Sequence, residues 1–71
     1  MATSLQEHDG ISIGDKIRAY GNATGIVTAI EENDSHKVII TYEAVYDIPA
    51  FRVKAGTQVK CAAEHCRRIA L

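Results

Sequence analysis

A chain of 71 residues with a formal charge of −1 holds a single domain and has no general attraction for nucleic acid or an anionic membrane. A domain this short buries only about 60 % of its unfolded surface, so nearly every large apolar side chain must enter the core. A hydrophobic content of 46 % exceeds that need and leaves apolar surface for a partner.

The first ten residues, Met1–Gly10, mix small, polar and charged types with one Leu. They read as a flexible N-terminal tail ending at residue 11, with Leu5 as its one candidate anchor. Ile11-Ser12-Ile13 is an apolar lead-in. Gly14-Asp15 supplies a turn in which glycine relieves the backbone and aspartate caps it. Lys16–Tyr20 alternates, with Ile17 and Ala19 on one side, and predicts a half-buried strand. Residues 21–25 read as a loop opened by Gly21-Asn22. Ile26–Glu31 predicts a second strand whose two faces are both apolar. Either a bulge shifts its alternation or its second face is covered. Glu32–His36 is a polar hairpin turn. Lys37–Glu43 is the most β-prone segment, again apolar on both faces, and continues through Val45 and Tyr46 until Pro49 interrupts at an edge or corner.

Residues 51–61 predict a hairpin. A three-residue loop at Ala55-Gly56-Thr57 sets Val53 opposite Val59 and Phe51 opposite Cys61, which gathers the apolar residues on one face. Arg52, Lys54, Gln58 and Lys60 then share the other. Ala62–Cys66 suits a single helical turn, and Arg67–Leu71 reads as a closing strand.

Short strands, tight turns and one helical turn before the last strand predict an all-β fold: one small barrel of about five strands over residues 12–71. Gly14-Asp15-Lys16-Ile17-Arg18, then Gly25-Ile26-Val27 with Ile30, resembles the opening of SH3-like barrels. That superfamily includes KOW modules, PsaE-type photosystem subunits and type II dihydrofolate reductases. Residues 62–69 look like the helical turn and closing strand of such domains. The resemblance implies a fold and leaves function open. The reductases use a Val-Gln-Ile-Tyr segment before the helical turn. The matching stretch here, Thr57-Gln58-Val59-Lys60-Cys61, lacks the Ile-Tyr pair, so no active-site residue carries over.

Cys61, His65 and Cys66 are the one cluster of soft ligands, and His8 or His36 would have to supply a fourth for zinc. Cys66, beside His65, Arg67 and Arg68, can also be read as a reactive thiol. Buried cysteines closing the core are the preferred reading, so neither a metal nor a cofactor is expected. Glu31, Glu32, Asp34 and His36 read as a solvated turn.

Charge is uneven along the chain. Residues 1–51 carry three basic and eight acidic residues, and residues 52–71 carry five and one, so the segments stand at −5 and +4. The favoured function is a non-enzymatic protein-interaction module, self-associating or a small accessory subunit, with Ile39, Val45, Tyr46 and Ile48 against the partner. The alternative is a nucleic-acid-binding barrel using Arg52, Lys54 and Lys60, joined by Arg67 and Arg68. With two cysteines and no basic-then-apolar leader, the expected setting is the reducing cytoplasm, away from membranes.

Overall fold

The computed structural model describes residues 3–19, 23–47 and 52–69. Its strands are β1 (Thr3–Leu5), β2 (Glu7–His8), β3 (Ile11–Ser12), β4 (Lys16–Ala19), β5 (Ala23–Glu32), β6 (Val38–Ala44), β7 (Gln58–Ala62) and β8 (Cys66–Arg68). One 3-10 turn, Ala63–His65, joins β7 to β8. The fold is all-β. Six strands form one antiparallel sheet in the order β7-β6-β5-β4-β8, with β1 added to β5, and β2 pairs β3 alone. Among the described residues no helix is long and apolar enough to cross a membrane.

Two turns show how the sequence sets this path. At the β3–β4 turn the Ser12 N–H donates to the Asp15 carboxylate at 2.8 Å, and the Asp15 N–H returns a bond to the Ser12 carbonyl at 3.0 Å. The Gly14 N–H then reaches across to the Val27 carbonyl at 2.9 Å, tying the turn to β5. At the β5–β6 turn the Asn33 side-chain oxygen accepts from the N–H groups of Ser35 and Lys37 at 2.9 and 3.0 Å. Asparagine bonding its own backbone in this way replaces a strand ladder with a turn.

The double apolarity of the second strand resolves into a bulge. Val27 pairs Tyr42 and Ala29 pairs Thr41, leaving Thr28 as an extra residue. Val27 and Ile30 therefore both point inward although they are three apart. The Thr28 hydroxyl turns outward and donates to Gln58 Oε1 at 2.8 Å, across β6.

Register then stacks the core in rows. Leu5, Ile30, Ile40 and Cys61 follow one another across β1, β5, β6 and β7. Val27, Tyr42 and Val59 form the next row, and Ile17, Gly25 and Ala44 the third. Ala23, Ala19 and Cys66 close the far end. Each fully buried Ile or Val contributes about 1.5–3 kcal/mol. The Tyr42 ring lies on Gly25. A Cβ at position 25 would overlap that ring and stand 2.7 Å from the Glu43 carbonyl oxygen.

The first and last strands of the path, β7 and β8, are separated by only three residues in the chain. At about 3.5 Å of reach per residue, so short a link keeps the end of β7 within about 14 Å of the start of β8. Cys61 of β7 and Cys66 of β8 belong to the same buried core cluster, with their thiols in contact.

Several expectations need correction. Residues 3–5 and 7–8, expected in a loose tail, are β1 and β2, and Leu5 packs against the core. Asp9 and Gly10, with φ of 51° and 82°, form the two-residue turn between β2 and β3. Positive φ at both positions belongs to the type I′ turn that Asp-Gly favours. Residues 23–25, expected in a loop, begin β5. Of the hairpin expected over residues 51–61, only β7 is a strand among the described residues, and it pairs with β6; Phe51 lies outside the described residues. The Thr57 N–H bonds the Lys54 carbonyl at 3.0 Å, closing a four-residue turn with Gly56 third at φ 90°. Glycine in that place suits a type II turn, which redirects the chain and does not return it along itself. Alternation within β7 does follow expectation, with Val59 and Cys61 inward and Gln58 and Lys60 outward. The closing strand is Cys66–Arg68, one residue earlier than expected.

Candidate interaction surfaces

Beyond β6 the backbone is held on both sides. The Val45 N–H donates to the Thr24 carbonyl at 3.2 Å, and the Asp47 carboxylate accepts from the Ala55 N–H at 2.9 Å. The Gly56 N–H donates to the Ala44 carbonyl at 2.8 Å. Residues 44–47 thus run beside residues 54–57. On this anchored backbone Tyr46 is left 60 % exposed, the more exposed of the two large apolar side chains on the surface among the described residues, the other being Ile13. Val45 beside it is half-buried. Ile39 lies six residues back along β6, about 20 Å by strand rise. It is half-buried on the outer face between its cross-strand neighbours Glu31 and Ala62. Ile48 lies outside the described residues. The four predicted contact residues are therefore not one patch. Val45 and Tyr46 form a corner, and Ile39 belongs to a mixed face.

The predicted basic residues are likewise divided. Arg52 and Lys54 are exposed at the end of the sheet that carries Tyr46, and Arg52 adopts φ 55°. Lys60 projects from β7 opposite Thr41. Arg67 projects from β8, at the other end of the strand order. Arg68 reaches Asp15, with Nε 3.6 Å from Oδ2. A cation that sequence order separates from this group, Arg18, stands directly opposite Arg67 in the β4–β8 pair. Only the register of the closing strand against β4 reveals that pairing.

A cavity of about 300 Å³ is lined by His8, His36, Lys37, Glu64 and the apolar Val38, Ala62 and Ala63. Of its ionisable lining residues, His36 has Nδ1 4.0 Å from Glu32 Oε2, and Glu64 has Oε1 3.7 Å from His65 Nε2. A second cavity of about 370 Å³ is lined by Gly14, Asp15, Lys16, Ile26, Arg68 and Ile69.

Cys61 and Cys66 are both buried in the core cluster, which separates them from the half-exposed His65. Burial pushes the Cys61 thiol far up, and its contact with Cys66 adds to the effect. Burial likewise pushes up Cys66, partly offset by the bond to Cys61. The Cys66 Sγ also donates to the Ala62 carbonyl at 3.5 Å. Such thiols are small core residues rather than nucleophiles at neutral pH. Among the described residues no three His, Cys, Asp or Glu side chains are grouped to hold a metal ion.

No protein-family model, curated protein or solved structure matches the chain.

Proposed function

We infer that the chain is an SH3-like barrel serving as a non-enzymatic protein-interaction module, with a second copy of itself as its first partner. Support for the barrel lies in the strand order. Four consecutive antiparallel strands, β4 to β7, are followed by a 3-10 turn and a short strand that returns to β4. The long bulged β5 serves both halves, pairing β4 and β1 on one side and β6 on the other. The observation that carries the functional reading is Tyr46, an exposed aromatic ring on backbone pinned by Thr24 and Ala55. An aromatic ring on anchored backbone offers large contact area, with only two side-chain torsions to fix on binding. The −5 and +4 segments supply unlike surfaces for two copies to bring together. Sedimentation across a hundredfold concentration range tests it. A concentration-dependent dimer that Tyr46→Ser abolishes is expected, and a monomer throughout removes the reading.

A second reading is favoured by one placement: Tyr46 shares its end of the sheet with Arg52 and Lys54. Single-stranded nucleic acid is bound by stacking on aromatic rings beside cations. Anisotropy of a labelled oligonucleotide, measured at low and high salt, tests it. Salt-sensitive binding lost in Arg52→Gln and Lys54→Gln is expected, and an unchanged signal at low salt removes it.

A further inference from the structure

We propose that the outer face of the β4–β8 pair is a phosphate-binding site, with the phosphate held between Arg18 and Arg67. The two arginines are opposite one another in register, and opposite residues of an antiparallel pair project from the same face. The Ile69 N–H donates to the Lys16 carbonyl at 2.9 Å, which makes 16 and 69 a hydrogen-bonded position and 18 and 67 the next one. Their Cα atoms are then about 5.5 Å apart. Both side chains are exposed, and neither makes an ion pair with any described residue. Like charges so placed repel unless something negative lies between them.

The nearby acids are engaged elsewhere. Asp15 faces Arg68 at 3.6 Å, and Glu64 faces His65 at 3.7 Å. Glu43 is two strands away from β4. Lys16, two residues from Arg18 on the same outer face, adds a third cation about 6.8 Å along the strand. It lines the 370 Å³ cavity, whose Ile26 and Ile69 walls give an apolar floor. Two guanidinium forks present paired N–H donors to the oxygens of one phosphate, a geometry for which arginine is the preferred residue. The cavity beside them has room for the body of a phosphorylated ligand. The phosphate itself can come from such a small molecule or from a nucleic-acid backbone. Arg18 lies opposite Thr24, whose carbonyl accepts from the Val45 N–H, so this face is two strand spacings from the Val45-Tyr46 corner.

Amide NMR titration of the whole chain tests the proposal. Inorganic phosphate, a short single-stranded oligodeoxynucleotide and, as reference, sodium chloride at matched ionic strength are the probes. Phosphate is expected to give saturable shifts at residues 16–19 and 66–69, with affinity falling about tenfold or more in Arg18→Gln and in Arg67→Gln. Lys37→Gln, in the β5–β6 turn at the other end of β5, leaves it unchanged. Both arginine variants are expected to fold, since each removes a repulsion, and thermal unfolding without phosphate checks this. Tighter binding of the oligonucleotide at the same amides assigns the phosphate to a nucleic-acid backbone. Binding of phosphate without the oligonucleotide assigns it to a small phosphorylated ligand. Shifts no larger than those of sodium chloride, or shifts unchanged in both arginine variants, overturn the proposal.

Discussion

Gly25→Ala probes the tightest point of the core. The added Cβ would overlap the Tyr42 ring and come within 2.7 Å of the Glu43 carbonyl oxygen. The ring cannot swing clear, because Tyr42 is buried between Val27 and Val59 in its row. The carbonyl cannot retreat, because it belongs to the β5–β6 ladder. Overpacking of this kind costs about 1–3 kcal/mol, and contact with backbone places it at the upper end. Alanine recovers about 0.4–1 kcal/mol by restricting the unfolded chain. The net loss is then about 2 kcal/mol. A domain of this size loses about 4–8 °C of Tm per kcal/mol, so the midpoint should fall by about 8–16 °C. Thermal and urea unfolding followed by circular dichroism measures it. In a Tyr42→Val background, where the ring is gone, the same substitution should cost at least about 1 kcal/mol less, the coupling expected of touching residues. A loss under about 0.5 kcal/mol, or no coupling to Tyr42, would refute the reasoning.

Asp15→Ala removes the acceptor for the Ser12 N–H and the partner of Arg68. A loss of about 1–2 kcal/mol in urea unfolding is expected, nearly independent of salt, because the exposed Arg68 contact adds little. The two thiols should resist an aromatic disulfide reagent in the folded protein and react at once in urea, as followed by absorbance. Burial in the folded protein raises both thiols above their ordinary value of about 9.0, Cys61 the more strongly. The folded state therefore keeps protons that the unfolded state has lost, and stability should fall as pH rises through about 9, by up to about 1.4 kcal/mol per pH unit for each thiol. A stability that is flat between pH 8 and 10.5 would contradict this, and Cys61→Ala should lessen the slope. Tyr46→Ser should change stability by less than about 0.5 kcal/mol while shifting sedimentation to the monomer.

Local signals carried the fold where one face is buried. Alternation at Lys16–Ala19 and within β7, the Gly14-Asp15 turn and the helical turn at 63–65 all follow from residue type and spacing. The hairpin at 51–61 failed for a different reason. Its register gathers apolar residues on one face, but so does pairing β7 with β6, which puts Val59 beside Tyr42 and Cys61 beside Ile40. Burial on one face cannot choose between two partners that both satisfy it. Asp9-Gly10 was legible as a hairpin turn, and weighing the charges around it as a solvated tail hid the signal. Arg18 and Arg67 are 49 positions apart, and nothing local to either predicts that they share a face.

The bulge at Thr28 decides how much surface is left for a partner. Regular alternation through Ile26–Glu31 would leave either Val27 or Ile30 facing outward, and an outer apolar stripe would follow. One extra residue brings both inside, so the outer face of β5 keeps only Ile26 and Ala29, half-buried among polar neighbours. On β6 the same accounting leaves Ile39 isolated between Glu31 and Ala62. The surplus apolar content that suggests a broad sticky face is thus largely absorbed by the core, with β1 adding Leu5 at the end of its longest row. Among the described residues, the two surfaces proposed for recognition are discrete: an aromatic corner at Val45-Tyr46 and a cationic pair at Arg18 and Arg67. These differ in chemistry, one apolar and one ionic. Salt should therefore weaken contacts at the arginine pair and leave those at the tyrosine nearly unchanged. Binding that responds to salt in the same degree after Tyr46→Ser and after Arg67→Gln would mean that the two surfaces act as one.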